Sequence, residues 1–367
     1  MIDYDKIKKP ALLINEYICR QIIRKMAAKA KASGVIFRPH FKPHQSVTVS
    51  RWFREENVSS ITVSSVTMAK HFANNGWNDI TIAFPVNIRE LGEVRKLSQK
   101  ARINLLVSSY EQAQILFKKV KFDSTIFIKI DTGYKRSGIE WNEKAEVMRI
   151  ADELMKSRYI RFMELLPHSG HTYKASSSDE IIDIYDDTLN KISSFRSLFS
   201  STGISLSMGD TPSCSLVYNF KGYDEIRPGN FVFYDLTQTQ PGSCKPDQIA
   251  VALACPVVQK SQRRKEIIIY GGDVHFSKES LSLPDGRTVY GEAVILDHNG
   301  WFFPAERNFV KSLSQEHGII SASDELMNKT EIGGLLGIIP VHSCLTADLM
   351  RQYHAFDNRI IKDFSPK

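Results

Sequence analysis

The chain is poor in cysteine, and what it has forms no pattern. Its five cysteines, Cys19, Cys214, Cys244, Cys255 and Cys344, are odd in number, widely spaced and free of any Cys-x-x-Cys pair. That excludes a disulfide framework and reads as reduced thiols in a cytoplasmic protein. Long apolar runs are missing too: no stretch approaches the ~20 apolar residues that a membrane span needs. The run Met1-Ile2-Asp3-Tyr4-Asp5-Lys6 carries acidic residues and no apolar leader core, so neither export nor membrane insertion is expected. Basic charge is not concentrated either. The net +7 comes from scattered residues with Arg263-Arg264-Lys265 as the one tight cluster, so no nucleic-acid partner is expected. An anionic small ligand suits that charge. There is no internal repeat, low-complexity tract or long linker.

What is present is the composition of a packed protein, 42% hydrophobic and 24% charged over 367 residues, enough for one large domain or two ordinary ones. Apolar strand candidates at 35–38, 61–64, 79–83, 103–107, 125–130, 161–166, 204–207 and 225–227 alternate with amphipathic helix candidates at 20–33, 66–75, 89–100, 110–119, 143–156 and 180–199. Eight alternations predict an α/β fold of the (β/α)8 barrel type over 19–243, with a doubly wound open sheet as the alternative. After Gly242 the helical period fades. Strand candidates at 248–258, 266–270, 289–297 and 332–339, with turn signals between them, predict a smaller carboxy-terminal β domain over 244–367, joined by 1–18 with its short strand Ala11-Leu12-Leu13-Ile14.

In such a barrel the chemistry sits on loops after the carboxyl ends of the strands. The run Arg38-Pro39-His40-Phe41-Lys42-Pro43-His44 follows strand one, where a buried Lys42 could hold an aldehyde cofactor; a solvated basic loop is the plain alternative. Arg136 follows strand five, and His168, His171 and Tyr173 follow strand six. Gly209-Asp210-Thr211-Pro212-Ser213 follows strand seven and Pro228-Gly229-Asn230 follows strand eight, the two places where these barrels bind phosphate. Each of these runs alone is also ordinary turn or ion-pair chemistry. In Pro340-Val341-His342-Ser343-Cys344 an imidazole and a thiol stand two residues apart. In an extended segment they face one side and can reach one zinc-like ion, or equally be a core histidine beside a buried thiol.

Together these runs, with Lys129 through Gly138, Gly271-Gly272-Asp273-Val274-His275-Phe276-Ser277-Lys278 and Glu316-His317-Gly318, resemble the fold-type III pyridoxal-phosphate enzymes of the D-threonine aldolase and D-serine dehydratase family. The resemblance covers nearly the whole chain. It implies an alanine-racemase-like barrel, a carboxy-terminal β domain and a homodimer. It assigns Lys42 to the covalent link with pyridoxal 5'-phosphate, and Thr211, Ser213, Gly229 and Asn230 to the cofactor phosphate. Arg136 would lie near the pyridine ring, with His171 and Tyr173 beside cofactor and substrate. His342 and Cys344 match the family's metal pair, for zinc or manganese. The His-x-Cys form looks more like the dehydratase branch, since the aldolase branch usually has aspartate in the cysteine's place. Val341 departs from the asparagine that often precedes the metal histidine.

The implied reaction starts from a small D-β-hydroxy amino acid. A freed, partly desolvated Lys42 takes the α-hydrogen and the hydroxyl leaves, giving a 2-oxo acid and ammonia. The alternatives are an aldolase, with His171 deprotonating the hydroxyl to give glycine and an aldehyde, and an amino-acid racemase that needs no metal. A non-catalytic cofactor carrier and an unrelated sugar-phosphate barrel are further readings.

Overall fold

The computed structural model describes residues 2–200 and 203–363, with backbone alone at 161–163. Met1 and the last four positions of the expected carboxy-terminal domain lie outside the described residues. The chain forms two compact units, one over Ile23–Gly229 and one joining Met1–Ile22 to Asn230–Ser365. Among the described residues no helix is long and apolar enough to cross a membrane.

The first unit is built on eight parallel strands: β1 (Ile36–Phe37), β2 (Ile61–Val63), β3 (Asp79–Pro85), β4 (Arg102–Val107), β5 (Ser124–Asp131), β6 (Ile160–Pro167), β7 (Ser205–Met208) and β8 (Glu225–Ile226). They pair in the order β1-β8-β7-β6-β5-β4-β3-β2, and a two-residue strand, Ile139–Glu140, adds to β5. The ends of the row meet beyond β1. His40 bridges Thr62 in parallel, Phe41 N donates to Thr62 O, and Thr62 N donates to Pro39 O, both at 2.9 Å. The sheet therefore closes into the α/β barrel predicted from the strand and helix rhythm. An open doubly wound sheet would leave those groups unpaired.

Three of its helices, Val66–Asn74, Tyr110–Lys119 and Ser178–Ser193, follow the cap serines Ser65, Ser109 and Ser177, whose side chains accept the orphan N–H of the third helical residue. Two more were not foreseen. Val47–Glu55 opens on the β-branched Val47-Thr48-Val49, which reads as strand. Thr211–Leu216 hides in a run that reads as a Gly/Pro turn; Asp210 caps it by accepting from Ser213 N at 2.7 Å. Inside the barrel, Arg38 donates to Glu225 and, at 2.6 Å, to Asp79, which also takes Asn104 Nδ2 at 2.9 Å. Ser207 Oγ donates to Glu225 at 2.6 Å, so the buried charges are paired. Leu106, Phe127 and Leu166 form an apolar cluster of the same unit.

The second unit carries a ten-stranded sheet. Its strands include Val251–Ser261, Glu266–Tyr270, Gly291–Asp297 and Leu335–Pro340, close to the four predicted. Ala11–Ile14 is buried throughout, running antiparallel to Val251–Ser261 and parallel to Gln352–Ala355. The strands Phe309–Leu313 and His317–Ser321 went unread because Lys311, Ser312 and Ser314-Gln315-Glu316 break the apolar pattern. One local expectation is overturned. His342 and Cys344 are not in an extended segment: the strand ends at Pro340, His342 is the N-cap residue and Cys344 lies in the first turn of the helix Ser343–Met350.

Candidate active site

The loops after β1, β5, β6, β7 and β8 are tied to one another through specific side chains. After β1, Phe41 is fully buried, its ring 5.0–5.1 Å from those of Phe53, Phe72 and Trp77. Anchoring that ring inward leaves the next residue facing out. Lys42 is exposed, against the expectation of a buried, partly desolvated amine. Its backbone N–H lies 3.2 Å from His40 Nδ1. The β8 loop passes so near His40 that a Cβ on Gly229 would sit 2.9 Å from His40 Cβ and 3.1 Å from its carbonyl oxygen. After β5, the Arg136 guanidinium lies 5.0 Å over the Tyr134 ring, which stacks on His171 at 6.2 Å and meets His168 edge-on at 5.8 Å. His168 Nδ1 in turn hydrogen-bonds Gly209 O beyond β7. The hydroxyl of Tyr173 accepts from Thr211 N at 3.1 Å, and Thr172 Oγ1 donates to Asp210 at 3.1 Å. Lys42, Arg136, His171, Tyr173, Thr211, Ser213 and Gly229 thus share the rim of one unit.

Two buried basic residues that lie in the family-like runs, but to which the sequence assigns no role, add positive charge behind this rim. Lys129 is buried in β5, its Nζ on Ile130 O and Leu166 O, and burial with the charges of Arg227 and Arg136 pulls its pKa down to about 7. Arg227 is buried at the end of β8, donating to Ser207 Oγ, Ser207 O and Pro167 O at 2.7–3.0 Å; burial lowers it to about 10 against the pull of Glu225. The imidazoles of His40 and His168 are held well below their ordinary values by burial and by Lys42, Arg227 and Lys129 around them. A lysine only partly protonated near neutrality and two neutral histidines among arginines mark a place where an anion relieves repulsion. Burial raises Asp210 to about 6 despite its bonds from Ser213 and Thr172, and those bonds commit it to the loop and helix it caps. Ser213 Oγ is fully buried with no hydrogen-bond partner. An exposed amine, an unused buried hydroxyl and this excess of cations fit an aldehyde-bearing phosphate such as pyridoxal 5'-phosphate. A lone lysine inside the apolar run Ile126-Phe127-Ile128-Lys129-Ile130 was the available signal for Lys129.

The other unit holds the remaining candidates. Asn230, placed with the cofactor phosphate by resemblance, has its amide Nδ2 3.3 Å from Cys344 Sγ and 2.7 Å from Asp235 Oδ2. His342 Nδ1 lies 3.4 Å from that same oxygen. Burial opposes a charge on His342, but the Cys344 thiolate and Asp235 outweigh it and push its pKa to about 11. Asp235, fully buried, is held low in spite of that burial by His342, Thr237 and Asn230. Once the His342 proton facing outward is displaced, imidazole and thiolate together are the donor set that suits a borderline-soft divalent ion. Asp235 had no signal in the sequence; Tyr234-Asp235-Leu236 belongs to no recognisable motif.

Comparison with known proteins shows what the chain as a whole is similar to. Residues 18–236 match the family "Alanine racemase, N-terminal domain", and residues 250–356 match "Putative serine dehydratase domain". The chain is 27% identical to the D-serine dehydratase of Dictyostelium discoideum, over 99% of this chain and 98% of that one. It is 25% identical to the D-threo-3-hydroxyaspartate dehydratase of Delftia sp. (strain HT23), over 94% and 93%. The solved metal-free form of a D-threo-3-hydroxyaspartate dehydratase mutant superposes with a TM-score of 0.90 at 22% identity, covering all of both chains. Proteins named 3-hydroxy-D-aspartate aldolase and D-threonine aldolase are also similar to it. With the first family matching more than half of its length, the chain belongs to the alanine racemase amino-terminal-domain family, and with it to the fold-type III pyridoxal-phosphate enzymes.

Proposed function

We propose that this lyase removes the β-hydroxyl of a D-β-hydroxy amino acid, of the D-serine or D-threonine type, and releases a 2-oxo acid and ammonia. The observation that carries this reading is the His342 and Cys344 pair braced by Asp235 and Asn230, a donor set that racemisation has no use for. When bound, pyridoxal phosphate stabilises negative charge at the α-carbon, and a divalent ion, zinc by its affinity for thiolate and imidazole, with manganese the alternative, polarises the hydroxyl.

The chain's own residues do the rest. Lys42 Nζ, exposed on the rim, is the amine for the cofactor aldehyde; once free it takes the α-proton. Thr211, Ser213 and Gly229 hold the phosphate, and Tyr173 steadies that loop through the Thr211 N–H. Arg136, a permanent cation, tunes the ring electronics. The hydroxyl leaves with one proton as water, and the resulting enamine is hydrolysed to the 2-oxo acid and ammonia. The five cysteines, all buried thiols, support a reducing, cytoplasmic setting, and a homodimer is the family's expected form.

One observation favours the aldolase as a second reading. His171 Nδ1 is buried without a hydrogen-bond partner, and burial followed by Lys191 lowers its pKa, so a neutral acceptor stands ready for a hydroxyl proton. The deciding experiment gives purified, zinc-supplemented protein D-serine and D-threonine separately and measures pyruvate, 2-oxobutyrate, glycine and acetaldehyde, with and without chelator. Chelator-sensitive 2-oxo acid is expected, together with loss of product and of the visible cofactor absorbance in Lys42→Ala. Glycine with acetaldehyde would establish the aldolase. Chelator-resistant loss of optical rotation without 2-oxo acid would establish a racemase.

A further inference from the structure

Asp235 is fully buried, yet it is the hub of the second unit's site. Its Oδ2 accepts from Asn230 Nδ2 at 2.7 Å, Ser343 N at 2.9 Å and Ser343 Oγ at 3.1 Å, while Oδ1 accepts from Thr237 Oγ1 at 2.5 Å. A carboxylate has about four acceptor positions. Four donors from the chain reach this one, three on Oδ2 and one on Oδ1, so it is anchored by hydrogen bonds within this unit. His342 Nδ1 nevertheless approaches Oδ2 to 3.4 Å, and Asn230 Nδ2, bound to the same oxygen, also reaches Cys344 Sγ at 3.3 Å. One carboxylate thus locates the backbone between the two donors, faces the rear nitrogen of one and orients the amide that contacts the other. A buried anion facing Nδ1 favours the tautomer with its proton there, which leaves the Nε2 lone pair outward.

We infer that Asp235 is the positioning residue of the metal pair: it selects the Nε2-coordinating tautomer of His342 and, through Asn230, supplies a hydrogen-bond donor to the Cys344 sulfur. The inference rests on the reading of His342 and Cys344 as metal ligands, and the test separates the two.

Zinc affinity is measured by competition with a chromophoric chelator on the intact protein, with Asp235→Asn beside His342→Ala and Cys344→Ala. Asp235→Asn is expected to weaken zinc by about 10–100-fold, with the cofactor absorbance retained. In the cobalt-loaded protein, Asn230→Ala is expected to move the sulfur-to-metal charge-transfer band to longer wavelength, because the thiolate loses a donor. Should Asp235→Asn fail to fold, nitrogen-15 chemical shifts of His342 in the unaltered zinc form decide: a proton on Nδ1 supports the inference, and a proton on Nε2 overturns it. A zinc affinity of Asp235→Asn within twofold of the parent, with both ligand variants weakened, overturns the positioning role alone. No loss of affinity in His342→Ala and Cys344→Ala overturns the ligand assignment and this inference with it.

Discussion

Lys129 is a buried amine of the barrel unit whose solution chemistry is strongly altered. Burial and two nearby arginines lower its pKa to about 7, whereas in the unfolded chain it titrates near its ordinary value of 10.5. Between those two values the unfolded chain holds a proton that the folded chain does not. Stability therefore rises with pH across that window, at up to about 1.4 kcal/mol per pH unit from this one group. Urea unfolding of the cofactor-free protein at pH 8 to 9.5 should show the stability difference between parent and Lys129→Met rising with that slope; parallel profiles would refute the buried-lysine account. Glu164, raised to about 8 by burial and Glu225, acts in the opposite sense, and the comparison of parent with variant cancels it. At this scale the sequence was uneven. Lys42, Arg136, Tyr173 and the His342 and Cys344 pair stood out because their types and spacing carry chemistry. Lys129, Arg227 and Asp235 did not, because what matters in them is burial, and burial is a property of neighbours remote in the chain.

Among the elements, the loops after β1 and β8 are coupled by the space a side chain would need. Gly229 sits where a Cβ would meet the backbone and Cβ of His40 at 2.9–3.1 Å, and backbone cannot yield as a flexible side chain can. Gly229→Ala is expected to lower stability by about 1–3 kcal/mol and to let the cofactor escape on dialysis. Thermal melting and the visible absorbance after dialysis measure the two effects, and a variant unchanged in both would show that the loops are not in register as described. The repeating elements were legible because eight apolar strands and their amphipathic helices each announce a period. The short helices Val47–Glu55 and Thr211–Leu216 were not, since β-branched residues open one and turn-type residues the other. The helix Ser343–Met350 shows the same limit: it begins at His342, where an extended segment was expected.

For the molecule as a whole, the amino-terminal strand is the long-range contact on which the second unit depends. Leu12, Leu13 and Ile14 are fully buried between Val251–Ser261 and Gln352–Ala355. Burial of about 1.5–3 kcal/mol per side chain sums to roughly 5–9 kcal/mol, comparable with the typical 5–15 kcal/mol of a folded protein. Removal of residues 1–14 is therefore expected to yield insoluble chain or a unit without fixed packing. A truncated protein with the parent's near-ultraviolet circular dichroism and melting temperature would contradict this. Composition and periodicity alone determined an α/β barrel followed by a β domain, because hydrophobic pattern is a local quantity that repeats along the chain. The motifs in their order determined the cofactor class, because a phosphate and an aldehyde need particular side chains on particular loops. Only the tertiary structure decided that Lys42 faces out, that Lys129 and Arg227 are buried behind the rim, and that Asn230 and Asp235 meet at His342 and Cys344. Those facts depend on which distant residues share a desolvated space, and no local pattern encodes that.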